Sequence, residues 1–286
     1  MNIGKLPACR QAGQRSELIN KHNKNPDHRD FCLHISLHFK IKLILLSKKT
    51  NFNPLIAQIE RKIMSPSEIF VCHALAIKAF RFATEGFFLK CGRLSPYFFD
   101  ASKFCSGKDL EVLVKAYTSI LQGNGLVPET ALFGPAYKGT ILVPAIALWL
   151  YNQYGCNVNY SSCRKERKRH GEGGELIAYD AKGSNFTLLD DGVTTSGTTQ
   201  KSIVLINNAK SKVKACVFAL DRQECNDGDT TRLASQSIQD QFDVPVFSIA
   251  TLSDLISVLE TENSRRSKEF LPRILAYRDK YGIQTK

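Results

Sequence analysis

The stretch 186–199 constrains the fold of this chain more than any other. Phe186, Thr187, Leu188 and Leu189 suit a buried strand and run straight into two adjacent carboxylates, Asp190 and Asp191. Gly192, Val193, Thr194, Thr195, Ser196, Gly197, Thr198 and Thr199 follow, and an apolar run at 203–206 resumes in a segment free of Pro and Gly. The order is strand, acidic tip, anion cradle, helix. The hydroxyls from Thr194 onward supply donors, and Gly197 lets backbone approach a ligand closely. The first N–H groups of the helix are unpaired and sit at the positive end of its dipole, so a phosphate fits there. Two carboxylates cannot bind that phosphate; they suit sugar hydroxyls or the neighbourhood of a metal. The blander alternative is a strand end with a solvated Asp pair and a Thr-rich turn. Neither a Walker A loop nor a G-x-G-x-x-G turn occurs.

A second unit of the same kind precedes it. A strand at 131–133 leads into Gly134-Pro-Ala-Tyr137-Lys138-Gly139, which opens a helix through Leu150. Repetition of strand, loop and helix predicts an α/β fold, with a mainly parallel central sheet flanked by helices and ligands at its carboxyl edge. A strand at 158–163 then enters the run 164–175, which holds Arg164, Lys165, Lys168, His170 and three glycines but no apolar anchor. Its like charges repel, so we expect a mobile loop that closes on a polyanion. Taken alone, the run reads as a solvated charged surface. Further on come a strand at 213–220 ending beside Arg222, a turn at 226–229, a helix at 232–241, a strand at 244–249 and two C-terminal helices.

The working domain is expected to span 64–286. Ser65, Pro66 and Glu68 form a helix start with a capping box, and the apolar stripe from Ile69 to Ala83 predicts a helix that ends at Gly86. Aromatic runs on either side of Cys91-Gly92-Arg93 predict a hairpin, so a small helix-and-hairpin hood precedes the sheet. A further helix is expected over 108–121. Residues 1–63 differ in character: they carry 12 Lys/Arg against 4 Asp/Glu, compared with 27 against 23 in the rest, and four of the six histidines. Most of the net charge of +12 therefore lies outside the domain, which argues against a nucleic-acid groove. The segment is too short in apolar residues and too charged to span a bilayer, and it lacks the layout of a signal peptide. We expect it to be a poorly ordered extension or to lie upstream of the working start at Met64. Nine scattered cysteines without a C-x-x-C pair suit reduced thiols in the cytoplasm.

Five separated motifs of 64–286 carry a resemblance. They are Phe88-Leu-Lys90-Cys-Gly-Arg93-Leu-Ser-Pro-Tyr-Phe98-Phe99, Phe133-Gly-Pro-Ala-Tyr137-Lys138-Gly, Arg164-Lys165-Glu-Arg-Lys168-Arg-His170-Gly-Glu-Gly-Gly, the Asp190-Asp191 stretch, and Leu220-Asp-Arg222-Gln-Glu. Together they resemble the orotate phosphoribosyltransferases of the type I phosphoribosyltransferase family. The fourth is general to that family; the first, third and fifth single out orotate. The resemblance implies the type I fold and transfer of the phosphoribosyl group from phosphoribosyl pyrophosphate (PRPP) to N1 of orotate, in pyrimidine nucleotide biosynthesis. It also implies site residues. Asp190 and Asp191 hold the ribose hydroxyls, and the loop from Gly192 to Thr198 wraps the 5′-phosphate. Tyr137, Lys138, Arg164, Lys165, Lys168 and His170 meet the pyrophosphate, and Lys90 meets both substrates. Phe98, Phe99, Thr194 or Thr195, and Arg222 meet orotate. Physically, a flat ring with a carboxylate needs aromatic surface and a cation, which Phe98, Phe99 and Arg222 offer.

No side-chain ligand set for a metal is visible, so Mg²⁺ is expected to arrive with PRPP. The resemblance implies a homodimer in which Lys168 and its neighbours act on the partner's site. Gly192 replaces a bulky apolar residue and is expected to loosen the strand end. A purine or uracil transferase would share the acidic stretch without needing Arg222, and a regulatory protein on the same fold would lack the charged run.

Overall fold

The computed structural model describes residues 64–168, 174–179, 182–193 and 197–283, all within the unit Met64–Lys286. The extension 1–63, His170 with its neighbours 169 and 171–173, and Thr194, Thr195 and Ser196 lie outside the described residues, as does the side chain of Lys168.

Helix α1 (Pro66–Ala76) begins as the sequence predicts. Ser65 Oγ accepts from Glu68 N at 3.1 Å, and Ser65 N donates to Glu68 Oε2 at 2.8 Å. Such a cap contributes about 1 kcal/mol. The helix does not reach Gly86. Lys78 sits at φ 60°, in the left-handed region, and the chain turns into strand β1 (Phe80–Phe88). The expected apolar stripe failed because Ala79 is buried from the link after the helix and Phe80 from β1, while Ile69 is 55% exposed. β1 pairs antiparallel with β2 (Leu94–Phe99), so the hairpin around residues 91–93 is present but starts earlier than expected. Gly86 lies where the register shifts, at φ 78°, and a Cβ there would come 2.8 Å from the Leu94 side chain.

The remaining elements are α2 (Gly107–Gly123), β3 (Ala131–Gly134), α3 (Lys138–Tyr154), β4 (Tyr160–Lys168), β5 (Gly174–Ala178), β6 (Asn185–Val193), α4 (Gly197–Asn208), β7 (Lys212–Asp221), α5 (Ala234–Phe242), β8 (Val246–Thr251), α6 (Leu252–Glu262) and α7 (Arg265–Tyr281). The main sheet has the order β5-β4-β3-β6-β7-β8 and is parallel except for edge strand β5. Its inner strands β3, β6 and β7 are largely buried on both faces. Along β7, Ala215, Val217 and Ala219 pack into one core while Cys216 and Phe218 pack into the other, as a period of two requires. The first core lies against α1, α2, α3, α6 and the hairpin; the second lies against α4 and α5.

The described ends of the charged run depart from the expected loop, while 169–173 lie outside the described residues. The run's first five residues complete β4, and Gly174 opens β5, with Lys168 opposite Gly174 across the pair. Strand pairing uses backbone groups and does not need apolar side chains, so charge alone did not exclude it. Gly192 also does not end the ladder: it pairs with Leu220, and Val193 still pairs with Asp221. No described helix is long and apolar enough to cross a membrane.

Candidate active site

The strands run parallel across β3 and β6, but the direction in which successive strands are added reverses between them. From β3 the chain moves through α3 to β4 on one side; from β6 it moves through α4 and β7 to β8 on the other. α3 and α4 therefore leave from adjacent strands toward opposite faces and open a crevice beyond the carboxyl ends. Ligands of doubly wound folds bind at such a switch point. The first predicted loop meets there the described ends of the second, at Asp191, Gly192 and Thr198.

On the β3 side the turn is very tight. A Cβ at Gly139 would lie 2.3 Å from the carbonyl carbon of Gly134, and one at Gly134 would lie 2.5 Å from the oxygen of Gly139. Two glycines thus let the first turn of α3 touch the end of β3. Tyr137 and Lys138 project from this turn; Tyr137 is 68% exposed, and Lys165 Nζ stands 4.3 Å from its ring centroid. Lys138 Nζ donates to the Asp191 carboxylate.

On the β6 side the acidic pair is held from below. The Tyr117 hydroxyl, fully buried on α2, donates to the Asp190 backbone carbonyl at 2.7 Å. Asp191 N donates to Asp190 Oδ1 at 2.9 Å. Burial, and next the charge of Asp191, push the Asp190 carboxyl up to about 7. α4 begins at Gly197, where a Cβ would meet no protein atom within 4 Å. Its first N–H groups lie at the end of β6, as an anion cradle requires.

The hairpin roofs the crevice. Lys90, Phe98, Phe99, Tyr137, Lys138, Lys165, Asp190, Asp191, Gly192, Thr198 and Arg222 all line one cleft of about 470 Å³. Four cations against two carboxylates make it suited to a polyanion carrying hydroxyls. The two phenylalanines differ, because adjacent strand residues face opposite ways. The Phe99 ring packs with Phe70, Phe80 and Phe104 in the core, whereas Phe98 is half-buried beside Phe87. Phe98 therefore supplies the ring surface, and Phe99 mostly fixes the strand. Arg164 is not among the cleft residues; its Nη1 donates to Leu176 O at 2.9 Å across the β4–β5 pair. Val193 is buried in the second core rather than in the cleft. Among the described residues no group of three or more His, Cys, Asp or Glu side chains could hold a metal by itself.

Sequence reasoning missed Tyr117, which no motif marks, and the carboxylate of Glu224. The latter lies within the motif ending at residue 224, but its partners are far apart in sequence.

No protein-family model matches the chain. Curated relatives do. The orotate phosphoribosyltransferase of Nitrosococcus oceani is 38% identical over 215 residues, covering 75% of this chain and 94% of the relative. That of Polynucleobacter necessarius subsp. necessarius is 39% identical over 224 residues, covering 77% and 98%. Among solved structures, the orotate phosphoribosyltransferase of Francisella tularensis matches with a TM-score of 0.63 and 29% identity, covering 75% of this chain and 99% of that one. The identity spans nearly the whole of these relatives and the sheet is shared, so this chain belongs to the orotate phosphoribosyltransferase family.

Proposed function

We infer that the cleft at the β3–β6 switch point is where this family's reaction takes place: phosphoribosyl transfer from PRPP to N1 of orotate, giving orotidine 5′-monophosphate and pyrophosphate. The observation that carries this reading is the meeting of Asp190, Asp191, Lys138, Lys90 and Arg222 in one cleft. Asp190 and Asp191 accept the ribose hydroxyls, and the stretch from Thr194 to Thr198, which in sequence leads into α4, takes the 5′-phosphate. Lys138 leaves Asp191 for the pyrophosphate, beside Tyr137 and Lys165. Orotate lies against Phe98 with its carboxylate toward Arg222.

In the transition state the bond from C1 of the ribose to pyrophosphate oxygen breaks while the bond from orotate N1 forms, and the N1 proton passes to the departing pyrophosphate or to solvent. Positive charge grows on the sugar and negative charge on the leaving group. Lys138 and Lys165, with Lys168 and His170, stabilise that negative charge more in the transition state than in the ground state. Mg²⁺ would enter this site as a companion of PRPP, Asp190 and Asp191 would be the cleft carboxylates able to offer it oxygen, and it would neutralise pyrophosphate charge.

We further propose a homodimer in which Lys168 reaches the partner's cleft. In support, Ile141, Leu148 and Tyr151, which are 68%, 62% and 59% exposed, occupy one face of α3, the helix that starts at the cleft. An apolar face of this kind suits an isologous contact between two copies. A cytoplasmic location is supported by the cysteines: among the described residues no two are joined by a disulfide.

The test is kinetic. Arg222→Gln should raise the KM for orotate ten-fold or more, the scale of about 1.5–3 kcal/mol for a charge-assisted hydrogen bond, and leave the KM for PRPP within about twofold. Equal rises for both substrates would refute the carboxylate role of Arg222.

A further inference from the structure

We propose that Glu224 is a positioning residue for orotate: its one carboxylate grips Arg222 and Arg93 together, and so aims the cleft arginine and fastens the hairpin roof. This rests on the reading of Arg222 as the orotate carboxylate ligand.

Glu224 is 2% exposed, and the two arginines are 4% and 7% exposed. Its Oε1 accepts from Arg222 Nε at 2.6 Å. Its Oε2 accepts from Arg93 Nη1 at 2.9 Å and from the Tyr277 hydroxyl at 3.1 Å. Arg222 Nη2 donates to Ser95 Oγ at 2.9 Å, and its guanidinium carbon lies 4.1 Å from the Tyr97 ring centroid. Arg93 reaches on to the Cys225 carbonyl at 2.8 Å and to Asp227 at 2.6 Å.

Three pieces of chain far apart in sequence meet on this one carboxylate. Arg93, Ser95 and Tyr97 belong to the hairpin that also carries Lys90 and Phe98. Arg222 and Glu224 follow β7, whose end forms the cleft wall. Tyr277 comes from α7. Two buried guanidinium groups repel each other unless a carboxylate lies between them. Asp227 cannot take that place, because it contacts Arg93 only and is 69% exposed. With Nε held by Glu224 and Nη2 held by Ser95, the guanidinium plane of Arg222 is fixed while it still lines the cleft. A planar, bidentate donor reads a carboxylate only when its plane is fixed in this way. Glu224 touches no substrate; it acts through Arg222.

The chemistry of the glutamate suggests the decisive variant. Glutamine keeps the shape but has one acceptor oxygen and one NH₂ donor, so it must turn a donor toward one of the two arginines. Glu224→Gln should raise the KM for orotate about ten-fold, the scale of one charge-assisted hydrogen bond, and leave the KM for PRPP within about twofold. Glu224→Asp, which keeps the charge with a shorter reach, should recover part of that loss. If Glu224→Gln lowers Tm while both KM values stay within about twofold, the residue is a structural strut and the proposal is wrong; a parallel rise in both values would also overturn it. Should Glu224→Gln fail to fold, Tyr277→Phe removes a single hydroxyl and leaves both ion pairs. A rise of about two- to threefold confined to orotate is then expected, and no rise overturns the proposal. Arg222→Gln measured in parallel separates the two claims. If it leaves orotate KM unchanged, the role of Arg222 falls; if it raises that KM while Glu224→Gln does not, only the role of Glu224 falls.

Discussion

Asp190 has to be ionised to hold two sugar hydroxyls, yet its surroundings resist ionisation. Burial first and the adjacent Asp191 second move its carboxyl from 3.8 to about 7. In the free protein the group is therefore about half protonated at pH 7, with roughly ten protonated molecules per ionised one at pH 6. If the ionised form binds ribose, PRPP affinity should fall about ten-fold between pH 8 and pH 6. PRPP titrates in the same range, so wild type must be compared with Asp190→Asn, since the ligand's own protons cancel in the ratio. Stability runs the opposite way. The folded-state pKa lies above the unfolded one, so this contribution is fully present below 3.8 and is lost as pH rises through about 7. Asp190→Asn should gain stability over wild type by about 2 kcal/mol on going from pH 5.5 to pH 8. The assays are calorimetric titration with PRPP and denaturant unfolding at each pH. Parallel pH curves for wild type and variant in both assays would refute the argument, because Asp190 would then carry no proton worth counting near neutrality.

Other perturbations test separate parts of the site. Gly139→Ala places a methyl group against the Gly134 backbone, so it should cost about 1–3 kcal/mol in unfolding and weaken PRPP binding by displacing Lys138; an unchanged Tm would mean the turn relaxes freely. Lys168→Ala should lower kcat by about 10²–10³ with a smaller effect on PRPP binding. Mixing that chain with one carrying Asp190→Asn and Asp191→Asn should restore activity toward about half of wild type per heterodimer, as one site escapes both defects; dead mixtures that demonstrably exchange subunits would place Lys168 in its own subunit's site. A chain beginning at Met64 should fold and keep its turnover, and loss of soluble protein would make residues 1–63 part of the domain.

Several elements could be read from local chemistry alone. Ser65 and Glu68 form their capping box because every partner lies within three residues. The acidic stretch and the Tyr137-Lys138 turn were legible because strand, loop and helix follow directly in sequence. What escaped depends on distant partners. Apolar spacing suggested that α1 ran to Gly86, but pairing of Phe80 with Phe99 took those residues into a sheet. The ends of the run from Arg164 looked like free loop until the pairing of Lys168 with Gly174 joined them to β4 and β5. Glu224 joins Arg93 across 131 residues, a contact no local pattern encodes.

Direct turnover tests the central claim most plainly. Purified protein with PRPP and Mg²⁺ should consume orotate and release orotidine 5′-monophosphate and pyrophosphate in equal amounts, and Arg222→Gln should weaken the response to orotate alone. Consumption of uracil or hypoxanthine with orotate left untouched would contradict it.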